Sequence, residues 1–320
     1  MINLIFKDVS IDLCIDKITQ LGVIDIDMAN RIYRYIKEYF GGHKYSENDL
    51  EEYGGVYPII SRENSEIHRN SFKFIGINSF EDVDHILEYK KDSIVMEYLR
   101  NELEKDEIQN ELLKLEILYN KYIVHIKNEF LNIPNVRVDE KLINSDFFAA
   151  KHISAYVNRA LSTCDKIKII IKILKKLSEN NCEKYILYFN FVESYLSCVE
   201  WENIVNLLNN TPWVYAIIST RNSEYLNYIR LEKINFIKNK SNVQLPSIQI
   251  ICDKVNQYIE RNRMFKEQEI IEYLSRSVFD ILEENKENNL YDYYITKAIL
   301  AEPIVHEDMG CFEIGKTTRI

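Results

Sequence analysis

The chain has 320 residues, 46% of them hydrophobic, with six cysteines and a net charge of −10. That supplies core for one large domain or two smaller ones, and no apolar run approaches the roughly 18 residues a membrane span needs. Met1–Asp8 lacks the basic-then-apolar order of a secretion signal, and the cysteines (Cys14, Cys164, Cys182, Cys198, Cys252 and Cys311) form no C-x-x-C pair, so a reducing cytoplasm is expected.

Three short strands are predicted in Met1–Leu21: I-N-L-I-F, S-I-D-L-C-I and I-T-Q-L, each with alternation or β-branched residues. A helix follows from about Met28 to Phe40, with Asp27 as N-cap and Ile32, Tyr35, Ile36 and Phe40 on one face. Gly41 and Gly42 end it. Five of the eight glycines fall between Tyr39 and Asp92, where a shaped loop joins this helix to a strand at Phe72–Ile77. Ser79 is expected to cap a helix from Phe80 to about Lys90, with Lys90 and Lys91 complementing its dipole. Further helices are predicted over Ile94–Glu104 and Glu107–Phe130. In the latter, Ile108, Leu112, Leu115, Tyr119, Tyr122, Ile126 and Phe130 form a coiled-coil-like seam, read as one side of an antiparallel helical hairpin.

After a polar connection around Pro134, a helix is predicted from about Asp146 to Leu177. A βαβ pattern follows: a strand at Lys184–Val192, a helix at Val199–Asn209, and a strand at Trp213–Ser219. Continuous apolar strands joined by a helix imply a parallel sheet buried on both faces. One more strand is expected at Lys233–Ile237. Helices close the chain at about Ile248–Arg261, Lys266–Glu284 and Tyr291–Ala301. The fold class is therefore α/β with a mainly parallel sheet. The organisation expected is a discontinuous head (residues 1–79 and 146–246), an inserted helical leg (80–145) and a C-terminal helical extension (247–320).

Catalytic motifs are weak or misplaced. Gly310–Thr317 satisfies G-x-x-x-x-G-K-T, yet only Thr318, Arg319 and Ile320 follow, too few for the helix a P-loop requires. The turn where a P-loop would belong, Leu21–Met28, keeps only Gly22 and adds Asp25 and Asp27, which repel a triphosphate. The apolar strand at Leu187–Val192 resembles a Walker B strand, but the position of its metal-binding Asp holds Asn190, with Glu193 three residues on. The frame reads as an ATPase-like head without its catalytic parts, so no bound nucleotide and no enzymatic activity are expected. The six histidines show no metal spacing, and no G-x-S-x-G elbow occurs.

The positive signal is electrostatic. Ala149–Ser178 carries seven Lys or Arg against one Asp. At 100° per residue, Lys168, Lys172, Lys175 and Lys176 fall within an arc of about 100°, while Ile167, Ile170, Ile171, Ile173, Leu174 and Leu177 fill the opposite face. A basic stripe on a helix anchored by its other side suits phosphate contact. Arg221, Arg230, Lys233, Lys238 and Lys240 make a second, looser basic group.

The phrases I-T-Q-L-G, F-G-G-H-K-Y, I-N-S-F and L-E-Y-K-K, with the strand Y-I-L-Y-F-N-F-V in matching order, resemble the long form of the Csn2 family of type II-A CRISPR adaptation proteins. The resemblance covers most of the chain. It implies a degenerate P-loop-ATPase-like head, a helical leg and a homotetrameric ring whose lysine-lined hole binds double-stranded DNA ends. It also implies a part in spacer acquisition beside the CRISPR integrase pair and the RNA-guided effector nuclease. Short members bind calcium near the head–leg junction, and the matching stretch here offers Glu129, Asp139, Glu140 and Asp146. Competing readings are an active DNA-dependent ATPase or nuclease of the same pathway, and a protein-only scaffold.

Overall fold

The computed structural model describes residues 2–6, 9–52, 59–63, 65–130, 155–158, 160–258, 264–283 and 290–299. In chain order the elements begin β1 (Ile2–Phe6), β2 (Val9–Leu13), β3 (Ile18–Val23), α1 (Ile26–Phe40), α2 (Glu47–Glu52), β4 (Ile59–Arg62), β5 (Ser65–Glu66) and β6 (Lys73–Ile77). Next come α3 (Phe80–Ile86), α4 (Ile94–Leu103), α5 (Asp106–Phe130) and α6 (Thr163–Asn181). The rest are β7 (Tyr185–Phe189), α7 (Cys198–Asn209), β8 (Val214–Thr220), β9 (Ile234–Lys238), β10 (Ser241–Gln244), α8 (Ile248–Tyr258), α9 (Glu267–Leu282) and α10 (Leu290–Ile299). The chain divides into two compact units: Met1–Ser79 with Lys184–Ile320, and Phe80–Glu183.

The first unit is built on a six-stranded sheet in the order β10-β9-β3-β8-β7-β6. All its pairings are parallel except β9 with β10, as the continuous apolar strands predict. Alternate residues of each strand serve the two faces. Leu21, Ile186, Tyr188, Ile217 and Ile237 share a core with Met28, Ile32, Tyr35, Ile36 and Tyr39 of α1. Phe189 packs edge-on against Trp201 of α7, ring centroids 5.3 Å apart. A smaller antiparallel sheet, β2-β1-β4-β5, joins the α1 core through Leu4, Ile11, Leu13 and Ile60.

The C-terminal helices do not stand apart as an extension. Ile251, Val255, Ile270, Leu274, Val278 and Ile295 from α8, α9 and α10 share one buried cluster with Ile234 and Phe236 of β9.

The glycine-rich segment is a chain-path device. Gly41 donates its N–H to Lys37 O (2.8 Å), and Gly42 takes φ of +74°, the left-handed region that glycine enters without strain. Arg69 then fastens the loop. Its Nε donates to Tyr39 O (3.2 Å), and its Nη2 donates to Glu38 O (3.3 Å) and His43 O. Its guanidinium lies over the Tyr39 and Tyr45 rings, at 5.6 and 4.7 Å. Burial pushes both tyrosine hydroxyls up to about 12.

In the second unit α3 and α4 pack on α6. Lys166 Nζ reaches Asp84 Oδ1 at 2.6 Å, and Asn101 Nδ2 donates to Asn181 Oδ1 at 3.1 Å. The sequence placed the helix ending near Leu177 in the head. Instead α6 groups with α3 and α4, and its buried Lys166 is paired with the Asp84 carboxylate of α3. Residues 155–158 are not helical, and Ser162 caps α6 by accepting from Asp165 N, so the helix begins at Thr163. Residues 146–154 lie outside the described residues. Helix α3 ends at Ile86, so Lys90 and Lys91 lie beyond it, and Lys90 pairs with Glu88 at 3.2 Å. Along α5 the seam is largely uncovered: Ile108, Leu115 and Tyr122 are 40%, 48% and 64% exposed.

Candidate nucleic-acid interface

Two regions bear on function. The first is the end of the parallel sheet where β3, β6, β7 and β8 finish and where a P-loop fold would hold phosphate. A working P-loop points the backbone amides between strand and helix at the ligand. Here the N–H groups of Ile24 and Asp25 both donate to Ile237 O, at 3.1 and 3.0 Å. Helix α1 is capped by its own sequence: Asp25 Oδ1 accepts from Met28 N at 3.0 Å, and Asp27 lies in the first turn. The N-cap is therefore Asp25 rather than Asp27, and the anion position at this helix end is held by a carboxylate. Gly22 has a packing role. A Cβ there would come within 2.6 Å of the Phe236 ring.

Beside this turn the register brings Asn78, Asn190 and Ser219 to one level, just beyond the paired residues Ile77, Phe189 and Ile218. Asn190 is buried (6% exposed). Its Nδ2 donates to Asn78 Oδ1 (3.2 Å) and Asn30 Oδ1 (3.5 Å), and its Oδ1 accepts from Ser219 Oγ (2.7 Å). Asn78 Nδ2 in turn donates to Tyr33 Oη at 2.9 Å. A carboxylate at position 190 would face the oxygens of Asn78 and Asn30. The amide is what this network requires. Glu193 uses Oε1 to accept from Arg221 N at 2.8 Å.

The second region is α6. Its buried residues Ile167, Ile170, Ile171, Leu174 and Leu177 anchor one face, and Lys168, Lys172, Lys175 and Lys176 project from the other. The structure adds acids that the arc of lysines did not show. Lys168 Nζ pairs with Asp165 at 3.0 Å, while Lys175 and Lys176 stand 3.9 and 3.6 Å from Glu179. The hydrogen bond from Lys168 holds the Asp165 carboxyl below its usual range. Exposed pairs of this kind contribute little to stability. Lys172 is exposed.

The looser basic group does not converge. Lys233 precedes β9 and Lys238 ends it, so the two lie at opposite ends of that strand. Lys233 and Arg230 both turn to Asp16, at 2.7 and 3.4 Å, and the Lys233 hydrogen bond holds the Asp16 carboxyl down against the opposing effect of burial. Of the metal candidates, Glu129 is exposed in the last turn of α5, while Asp139, Glu140 and Asp146 lie outside the described residues. No cluster of three or more metal-type ligands occurs among the described residues. The G-x-x-x-x-G-K-T string at 310–317 is also outside them.

Residues 5–284 match the family described as CRISPR-associated protein Csn2 subfamily St. The chain belongs to that family. Family membership implies a role in type II-A CRISPR adaptation. Among solved structures, the chain is similar to Stu0660 of Streptococcus thermophilus at 18% identity and a TM-score of 0.77, covering 99% of this chain and 97% of that one. That likeness concerns the fold. No curated protein matches the sequence. No helix among the described residues is long and apolar enough to cross a membrane.

Proposed function

We propose that this Csn2-family chain is a non-enzymatic, sequence-independent binder of double-stranded DNA that acts in spacer acquisition. The observation that carries the reading is the α6 stripe. Four lysines share one face of a helix whose opposite face is buried, so the charges are held at fixed spacing. Lysine contacts to phosphate position a protein on DNA without reading bases. In this reading the head is a degenerate P-loop frame, with the Ile24 and Asp25 amides bonded to Ile237 O and Asn190 replacing a metal-binding carboxylate. It binds no nucleotide there.

We also propose a homotetrameric ring with the α6 lysines lining its channel, working in the cytoplasm beside the integrase pair and the RNA-guided effector nuclease. Support for self-association is the exposed seam of α5, where Ile108, Leu115 and Tyr122 are solvent-facing.

A gel-shift comparison of linear and covalently closed circular duplex of one sequence tests the reading. A ring that loads over ends shifts the linear form and leaves the closed circle free. Equal binding of both forms contradicts the ring, and binding of neither leaves a protein-only scaffold. ATP hydrolysis by the purified chain, lost on substitution within Leu21–Met28, contradicts the non-enzymatic assignment.

A further inference from the structure

We propose a second nucleic-acid surface at the opposite end of the six-stranded sheet, where β6, β7 and β8 begin. It takes a single strand by stacking a base on Trp213 and holding phosphate with Lys184.

The chain has two tryptophans. Trp201 is buried at 4% exposure, whereas Trp213 is 46% exposed. Trp213 sits at φ +66°, a left-handed conformation that a bulky side chain rarely takes. The fold holds it there, since Trp213 O accepts from Tyr185 N at 2.9 Å. A large aromatic kept in a strained backbone and presented to solvent is an outlier of the kind that clusters at binding sites.

One cation lies against it. Lys184 Nζ lies 5.5 Å from the Trp213 ring centroid, and Lys73 Nζ lies 5.9 Å from the Tyr185 ring. Lys73 N donates to Lys184 O at 2.8 Å, and Lys73 pairs with Tyr185, so the Lys73 and Lys184 side chains fall on opposite faces of the sheet. Lys17, at the start of β3, donates to the carbonyls of Thr211 and Val214 and places a fixed positive charge under the same edge. Asp16 is turned toward Lys233 and Arg230.

Aromatic rings beside lysines are the recurring means of gripping unpaired nucleic acid, because every base has a face to stack while a duplex hides those faces. The α6 segment, in contrast, has no aromatic residue between Thr163 and Asn181, which suits phosphate contact alone. This inference concerns a different surface from the duplex-binding reading and stands or falls separately from it.

The test is a titration of the full-length chain with oligothymidine of about twelve nucleotides, following tryptophan fluorescence and the anisotropy of labelled oligonucleotide. Saturable quenching that weakens with salt is expected. Trp213→Ala should abolish the quenching and weaken binding roughly fivefold to a hundredfold. Trp213→Phe should retain affinity within a few-fold, which separates lost stacking from lost folding. Lys184→Ala should flatten the single-strand salt slope by about 0.7. Undiminished quenching or affinity in Trp213→Ala overturns the proposal. So does equal quenching by a duplex hairpin or by polyglutamate, which would mark a general polyanion or acidic-protein surface.

Discussion

Asn190→Asp places a carboxylate at the end of β7, and the structure gives the consequence. The replacement loses the donor to Asn78 Oδ1 and Asn30 Oδ1 and buries a charge facing both oxygens. Asn78 can turn its amide toward the carboxylate only if the Tyr33 hydroxyl reverses from acceptor to donor. Only the Ser219 hydroxyl still donates. An unsatisfied buried polar group costs about 1–3 kcal/mol and more when charged, so a loss of about 3 kcal/mol at neutral pH is expected. The sign with pH follows from linkage. The new carboxyl has a folded pKa raised above its unfolded value of about 3.9, so the folded state binds the extra proton. The penalty should be small below about pH 4, grow as pH rises, and level off near pH 6, since about 3 kcal/mol corresponds to roughly two pH units. Urea unfolding of parent and variant between about pH 4 and 8 measures this. Isothermal titration with magnesium–ATP should show no binding by the variant, because the Ile24 and Asp25 amides stay on Ile237 O. A pH-independent difference below about 0.5 kcal/mol, or acquired nucleotide binding, would refute the reasoning.

Arg69→Ala removes the bonds to three loop carbonyls and should lower stability by about 2–4 kcal/mol in urea unfolding; a change under about 0.5 kcal/mol would mean the loop holds itself. Asp49, held to about 2 by Ser46 and His43, contributes above its ordinary range and loses that contribution as pH falls toward 2. In Ser46→Ala its titration, followed by NMR, should move upward toward the ordinary carboxylate value, and an unmoved midpoint would remove the Ser46 capping bonds from the account. Gly22→Ala should cost about 1–3 kcal/mol through its clash with Phe236; stabilisation, as at an unstrained glycine, would show that the ring yields freely.

Periodicity made the parallel sheet readable, because β7 and β8 are continuously apolar and the Ile32, Tyr35, Ile36, Phe40 spacing belongs to a helix packed on one side. Strands β4 and β10 escaped notice. S-N-V-Q in β10 has a single apolar residue and pairs only through a turn in which Asn239 and Lys240 take φ of +47° and +62°, with no glycine to announce it. The lysine stripe was legible from 100° geometry. Its carboxylate partners Asp165 and Glu179 lie three or four residues from the lysines, where a helix makes neighbours. That position 190 holds an amide was visible in sequence. The reason an amide suits the site was not, since Asn30, Asn78 and Ser219 arrive from three distant segments. The affiliation of α6 with α3 and α4 depended on the Lys166–Asp84 pair across eighty residues, which no local pattern encodes.

The most direct test of the DNA-binding account is the salt dependence of linear duplex binding by the parent and by a variant with Lys168, Lys172, Lys175 and Lys176 all replaced by Ala. If all four contact phosphate, they supply a slope of about −3.6 in log affinity against log salt, or roughly 150-fold between 50 and 200 mM. The account predicts that the variant folds normally, binds far more weakly and has a slope shallower by about 2 to 4. Equal affinity and equal slope in the two proteins would contradict it.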